Sequence, residues 1–82
     1  MDKVNFINNE GVTVECDVLN LYESKITNKK YVIYTDNTFE NNFKNIYASE
    51  MIEKGSEIFL KDINNKADEI IIEKIIENME EK

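Results

Sequence analysis

The side chains in this chain that could do chemistry are few, and their spacing suits little. Cys16 is the single thiol and histidine is absent, so a serine or cysteine nucleophile has no imidazole base and zinc has no His ligand. Cys16 falls on one strand-like face with Val12, Val14 and Val18. An apolar setting raises a thiol's pKa and dulls its reactivity, so Cys16 reads as core packing. Glu15 and Asp17 lie two residues apart on the opposite face. Paired carboxylates can exchange protons if one is desolvated, but nothing apolar surrounds these in sequence, so they read as a solvated outer face. The segment Asp36-Asn37-Thr38-Phe39-Glu40-Asn41-Asn42 suggests a calcium loop. It has Asn41 where such a loop needs Gly and Tyr47 where it needs a bidentate Glu. It reads instead as a hairpin loop capped by Asp36 or Asn37. Gly11 and Gly55 stand alone, so no phosphate-cradling loop is formed. No catalytic, cofactor-binding or metal-ligating residues are assigned.

Composition narrows the classes further. The chain of 82 residues carries a net charge of −7, and all ten of its cationic side chains are Lys. Specific nucleic-acid readers rely on Arg, and the phosphate backbone that supplies most of their affinity would repel an acidic surface. Lys29 and Lys30, with Lys25 nearby, form the one local basic cluster and read as a solvated turn. A single Cys allows no internal disulfide. Met1-Asp2-Lys3-Val4-Asn5 lacks the pattern of a signal peptide, and Ile70-Ile71-Ile72 is far too short to span a bilayer. A cytoplasmic location is the expectation. A domain of this length buries only about 60–65% of its unfolded surface, which argues against a large internal cavity. Asn and Ile, about a dozen each, read as AT-rich codon bias rather than function.

The elements that would position these side chains follow from periodicity. Val4-Asn5-Phe6-Ile7 reads as a first strand, and Asn8-Asn9-Glu10-Gly11 as a turn with Gly at its positive-φ position. Val12 to Leu19 alternates with period two, the mark of a half-buried strand. The alternation blurs over Val18-Leu19-Asn20-Leu21-Tyr22, which fits either a bulge or a strand covered on both sides. Tyr31 to Thr35 is β-branched or aromatic on both faces, as in a central strand covered on both sides. Ile46-Tyr47-Ala48-Ser49 and Ile58-Phe59-Leu60 give a fourth and a fifth strand, separated by a turn at Glu53-Lys54-Gly55-Ser56. After Ile63 the period changes. Asn64 or Asn65 suits a helix N-cap, and Asp68 and Glu69 suit the positive end of the helix dipole. Ile71, Ile75 and Met79, widened by Ile72 and Ile76, form an apolar stripe opposite Glu69, Glu73, Glu77 and Glu80.

The architecture expected is therefore α+β: one domain over residues 1–82, with strands over about 3–63 and a helix over about 65–81. The strands form a five-stranded antiparallel meander, curved or partly barrel-like, because short turns favour sequential antiparallel pairing. The C-terminal amphipathic helix covers the second face of Tyr31–Thr35. Ile71, Ile75, Ile33 and Val14 are expected in one core. Ile70 widens the stripe beyond what short strands cover, so homodimerisation through the helix is the alternative to a monomer.

Several of these motifs resemble a known family. Val14-Glu15-Cys16-Asp17-Val18-Leu19, Tyr22-Glu23-Ser24, Lys30-Tyr31-Val32-Ile33-Tyr34-Thr35-Asp36-Asn37 and Asn45-Ile46-Tyr47-Ala48-Ser49 resemble the small bacterial proteins called domain of unknown function 1292 (YrzB-like). The match in order and spacing runs over roughly residues 4–80, and the acidic C-terminal helix fits. Asn20 and Ala67 stand where family members often carry aromatic side chains. The resemblance implies a small cytoplasmic protein of bacteria with low-GC genomes, and it implies no activity.

What remains is a compact scaffold with an acidic surface, four tyrosines and an open sheet edge. Such a chain suits a non-catalytic adaptor that binds another protein, with Tyr34, Asp36, Asn37 and Tyr47 as the contact surface. Tyrosine packing and a turn shaped by Asp36 and Asn37 are the structural readings of the same residues. The rival class is a nucleic-acid- or ribosome-associated small β-barrel, against which the charge argues.

Overall fold

The computed structural model describes residues 3–80. The seven strands are β1 (Lys3–Ile7), β2 (Thr13–Glu23), β3 (Lys30–Thr35), β4 (Phe39–Glu40), β5 (Phe43–Lys44), β6 (Tyr47–Lys54) and β7 (Glu57–Lys61). One helix follows, α1 (Lys66–Glu80); the expected helix position at residue 81 lies outside the described residues. Five strands close into a barrel in the order β1-β2-β3-β6-β7, while β4 and β5 form a separate hairpin. The architecture is α+β, as the periodicity requires.

Two features correct the simple meander. The sheet is mixed: β1 and β7 pair in parallel at Ile7↔Phe59. The reason is parity. Five strands joined by antiparallel steps alternate in direction, so the first and fifth run the same way and closure must be parallel. The second correction is the β4–β5 hairpin, which occupies the stretch read as a loop. Asn41 and Asn42 both take left-handed conformations, φ 53° and 70°, as a two-residue type I′ turn requires.

The other turns are set by local chemistry. Asn8 Oδ1 accepts from the backbone N–H groups of Glu10 and Val12 at 2.9 and 3.0 Å, and Gly11 has φ 79°. Gly55, at φ 61°, turns β6 into β7. Ser24 Oγ accepts from Ile26 and Thr27 N–H groups between β2 and β3.

The blurred stretch of β2 is a bulge. The β2–β3 register shifts between Val18 and Asn20. Val18 lies opposite Tyr34 and Leu21 opposite Val32, so both face the barrel interior. Leu19 packs toward the helix, and Asn20 lies opposite Ile33 on that side. The strand thereby runs on to Glu23, longer than its alternation suggested, while Val12 falls before it and is exposed.

The apolar residues divide into two layers, not one core. Phe6, Cys16 and Val32 are buried inside the barrel, with Val4, Val14, Val18, Tyr34, Met51, Ile58 and Leu60 around them. Tyr31, Ile33, Ile72 and Ile75 form a second cluster between the outer face of β3 and α1. Adjacent residues of β3 thus serve opposite layers, which puts Val14 in a different core from Ile33, Ile71 and Ile75. The helix does cover the second face of β3.

A buried polar latch holds the helix start in place. Asn65 Oδ1 accepts the Asp68 N–H at 2.9 Å as an N-cap, and Asn65 Nδ2 donates back to Asp68 Oδ2 at 2.7 Å. Asp68 Oδ1 accepts the Tyr31 hydroxyl at 2.6 Å, and Oδ2 pairs with Lys29 Nζ at 3.0 Å. Since the Tyr31 proton goes to Asp68, the Thr27 hydroxyl donates to Tyr31 at 2.8 Å. Lys29 is therefore half-buried in an ion pair, not a solvated turn residue. The Tyr31 hydroxyl, followed by Lys29 and Asn65, holds the Asp68 carboxyl below its ordinary pKa against desolvation. A carboxylate depressed in the folded state stabilises the fold above its unfolded pKa, and that contribution disappears as pH falls through the folded value. The latch is thus complete at neutral pH and lost progressively below about pH 4. Asp68→Asn should cost about 1–3 kcal/mol at pH 7, because it sets an amide N–H against donors. It should also flatten the decline of the urea midpoint between about pH 5 and 2 relative to wild type. Parallel pH profiles for the two proteins would refute this role for Asp68.

Candidate functional site

The four residues picked from sequence lie at one end of the barrel, around the last residues of β3 and the first of β6. Tyr34 and Tyr47 are register partners, and their rings pack 5.5 Å apart with planes tilted by 32°. Tyr34 also packs on Phe6 at 5.5 Å, which ties the end of the barrel to its interior. Asp36 opens the turn after β3: its Oδ1 accepts the Thr38 N–H at 3.1 Å and the Thr38 hydroxyl at 2.6 Å. The Tyr47 hydroxyl reaches Asp36 Oδ2 at 3.4 Å. Tyr34, Asp36 and Tyr47 therefore form one cluster. Asn37 does not join it. It adopts φ 64° and donates its side-chain amide to Asp17 Oδ2 at 2.9 Å, bracing the turn against β2.

Further bonds stiffen the same end. The buried Thr35 hydroxyl donates to the Asn45 carbonyl at 2.6 Å and accepts the Asn37 N–H at 3.1 Å. Asn45 donates its backbone N–H to the Thr38 carbonyl at 2.8 Å and its side-chain amide to the Thr38 hydroxyl at 2.8 Å. These contacts close the base of the β4–β5 hairpin. The hairpin then projects two phenylalanines that sequence reasoning left in a loop. Phe39 is 63% exposed and Phe43 is 76% exposed. Opposed pairing with Lys44 and Glu40 places them on opposite faces of the ribbon, and Lys44 Nζ lies 5.8 Å from the Phe39 ring centre. Ile46, just before β6, is 55% exposed, and Tyr47 at its start is exposed as well. The signal that could have found the hairpin is the Asn41-Asn42 pair flanked by Phe-Glu and Phe-Lys.

The electrostatics of this end do not resemble a proton-transfer site. The Thr38 hydroxyl, more than any other neighbour, lowers the Asp36 pKa, and the Asn37 amide does the same for Asp17. Both carboxylates are thereby held ionised. Desolvation pushes the Cys16 thiol up, with Asp36, Asp17 and Glu15 adding repulsion, so the thiolate is disfavoured. Burial likewise raises half-buried Tyr34, whose hydroxyl lies 3.4 Å from Ser49 Oγ. Both side-chain oxygens of Asp36 are engaged, Oδ1 by Thr38 within the turn and Oδ2 by the Tyr47 hydroxyl on β6. Among the described residues, no three Cys, Asp or Glu side chains converge as a metal site.

The barrel is open at both ends. At the tyrosine end lies a shallow hollow of about 150 Å³, with Cys16, Tyr34, Asp36 and Tyr47 in its wall. At the opposite end lies a larger concavity of about 400 Å³, walled by Val4, Phe6, Val18, Leu21, Met51 and Ile58 and rimmed by Glu23, Lys30 and Glu53. This larger concavity is open to solvent at the barrel mouth. Among the described residues, no helix is long and apolar enough to cross a membrane. No family model, curated protein or solved structure matches the chain significantly.

Proposed function

We propose that the protein is a non-catalytic adaptor or regulator that binds another cytoplasmic protein through the tyrosine end of its barrel. The observation that carries this reading is the β4–β5 hairpin, which holds Phe39 and Phe43 in solvent on a stiff, hydrogen-bonded base. Exposed aromatic side chains on a preorganised support are the usual anchors of protein interfaces, because little ordering entropy is lost on binding. Ile46 and Tyr47 add exposed apolar surface close by in the chain, and Asp36 and Glu40 add negative charge. The net charge of −7 would steer it toward a basic partner surface and speed encounter. Ionised Asp36 and Asp17 and a protonated Cys16 favour binding over catalysis. Of the motifs that resemble domain of unknown function 1292, only the ends of Lys30–Asn37 and Asn45–Ser49 lie here, and we infer a distant relationship on the motifs alone. Ile70, still partly exposed on α1, keeps a helix-mediated homodimer as an alternative to a monomer.

Affinity capture from the native cell, with wild type and the Phe39→Ser/Phe43→Ser variant as paired baits, tests the reading. Both positions are exposed, so the variant should keep its stability within about 0.5 kcal/mol per site. A specific partner should be retained by wild type and weakened at least tenfold by the variant, since hot-spot aromatics are worth about 2 kcal/mol or more each. Equal retention by both baits would place the contact elsewhere. Tight binding of single-stranded RNA or duplex DNA that falls steeply with salt would replace the adaptor reading altogether.

A further inference from the structure

We infer that the mouth at the opposite end of the barrel is a second binding site, which takes an extended peptide carrying an apolar side chain next to a basic one. Three independent features meet there. The first is a free strand edge. β1 pairs with β2 only from Thr13 to Asp17, whereas β2 continues along β3 to Glu23. On the side away from β3, Leu21–Glu23 therefore has no strand partner among the described residues. Backbone N–H and C=O groups left in this way are a template for an added strand.

The second feature is the concavity of about 400 Å³ beside that edge. Phe6 is its buried floor, and Val4, Val18, Met51 and Ile58 wall it. β1 and β7, which both border it, share a single paired position, Ile7↔Phe59, so no ladder of backbone hydrogen bonds closes this side. Leu21 is 56% exposed at its lip, an apolar side chain with room above it. An added strand along Leu21–Glu23 would direct alternate side chains toward this space, because successive residues of a strand point to opposite faces.

The third feature is charge. Glu23 and Glu53 share the rim with one cation, Lys30, and Lys30 Nζ is bound to Glu53 Oε1 at 2.7 Å. Glu23 lies opposite Lys30 in register without a salt bridge to it, so two carboxylates face one ammonium and the rim keeps a net negative charge. A Lys or Arg flanking the inserted apolar residue would answer it. This site lies at the other end of the barrel from the aromatic hairpin and does not depend on the function proposed above.

The test uses the full chain as target for a displayed library of random heptapeptides, with synthesis of the enriched sequences. Enriched peptides should share one apolar position with Lys or Arg within two residues of it. Titration by NMR should move the amides of Leu21, Tyr22 and Glu23 and the methyls of Val4, Met51 and Ile58. Leu21→Asp should weaken these peptides at least tenfold. Glu23→Lys, at an exposed position that leaves the core intact, should weaken them about three- to fivefold at low salt, the scale of an exposed ion pair. Each of the following results would overturn the inference: no enrichment over an unrelated acidic control protein, undiminished binding by both variants, or shifts confined to the Phe39–Tyr47 end. So would concentration-dependent dimerisation that protects Leu21–Glu23 without peptide, because the occupant would then be a second copy of this chain.

Discussion

Phe6→Ala is expected to lower the stability of the domain by about 3–5 kcal/mol, the range for removing a fully buried aromatic side chain. Phe6 is 1% exposed, and its ring meets Tyr34 at 5.5 Å with a 52° tilt. It sits where β1 must hold both β2 and, through a single parallel bridge, β7. No other aromatic side chain is fully buried in the barrel layer, so neighbouring Val and Leu side chains would have to collapse inward to refill the space. Collapse is resisted because they are anchored on four different strands. A domain of this size has about 5–15 kcal/mol in total, toward the lower end, so the variant should be largely unfolded or close to its midpoint. Urea denaturation followed by far-UV circular dichroism measures the loss, and tyrosine fluorescence serves as a second probe because the chain has no Trp. A loss under about 1 kcal/mol would mean that the barrel interior is not organised around Phe6.

Much of this architecture is legible wherever a residue acts on its own neighbourhood. Asn8 and Gly11 make the first turn, Gly55 makes the last, and Asn65 caps the helix where short-range rules place a cap. The two-sided apolar character of Tyr31–Thr35 requires a second cover, and α1 is that cover. What escapes the sequence depends on register or on distance along the chain. Val32 and Ile33 are neighbours in sequence yet belong to different cores, and only strand pairing assigns Val14 to one and Ile75 to the other. Asp68 suits a helix dipole in any local window. Its hydroxyl and ammonium partners, Tyr31 and Lys29, are 37 and 39 residues away. The β4 and β5 strands are two residues each, too short to express a period, and the exposure of Phe39 and Phe43 runs against their residue type. Of the four candidate residues, Tyr34, Asp36 and Tyr47 do meet, whereas Asn37 braces the turn against β2, a contact that pairs positions twenty residues apart.

Ile75→Ala should cost about 2–5 kcal/mol, and its coupling to the barrel interior should be small. Ile75 is 6% exposed and packs with Tyr31, Ile33 and Ile72, while Leu19, Ala48, Ile63 and Ile71 close the edges of the cluster. Truncation leaves a cavity between a rigid sheet and a helix whose N-terminus is pinned by Asp68, so the helix cannot simply settle inward. The barrel cluster contains none of these residues, and the β3 backbone separates the two layers. Mutations without shared partners add to within about 0.5 kcal/mol, whereas residues in one core couple by about 0.5–3 kcal/mol. A double-mutant cycle between Ile75→Val and Val14→Ala, both mild enough to keep the fold, therefore separates one continuous core from two. Coupling below about 0.5 kcal/mol is the expected result, and a value above about 1 kcal/mol would join the layers. The same measurements test the helix-mediated homodimer. If Ile70 and Ile71 were shared with a second copy, unfolding would be linked to dissociation and the urea midpoint would rise with protein concentration. For a monomer, wild type and Ile75→Ala keep midpoints independent of concentration, and the loss from Ile75→Ala belongs to the packing of α1 on the sheet, with β3 at its centre and Leu19 and Ala48 at its edges.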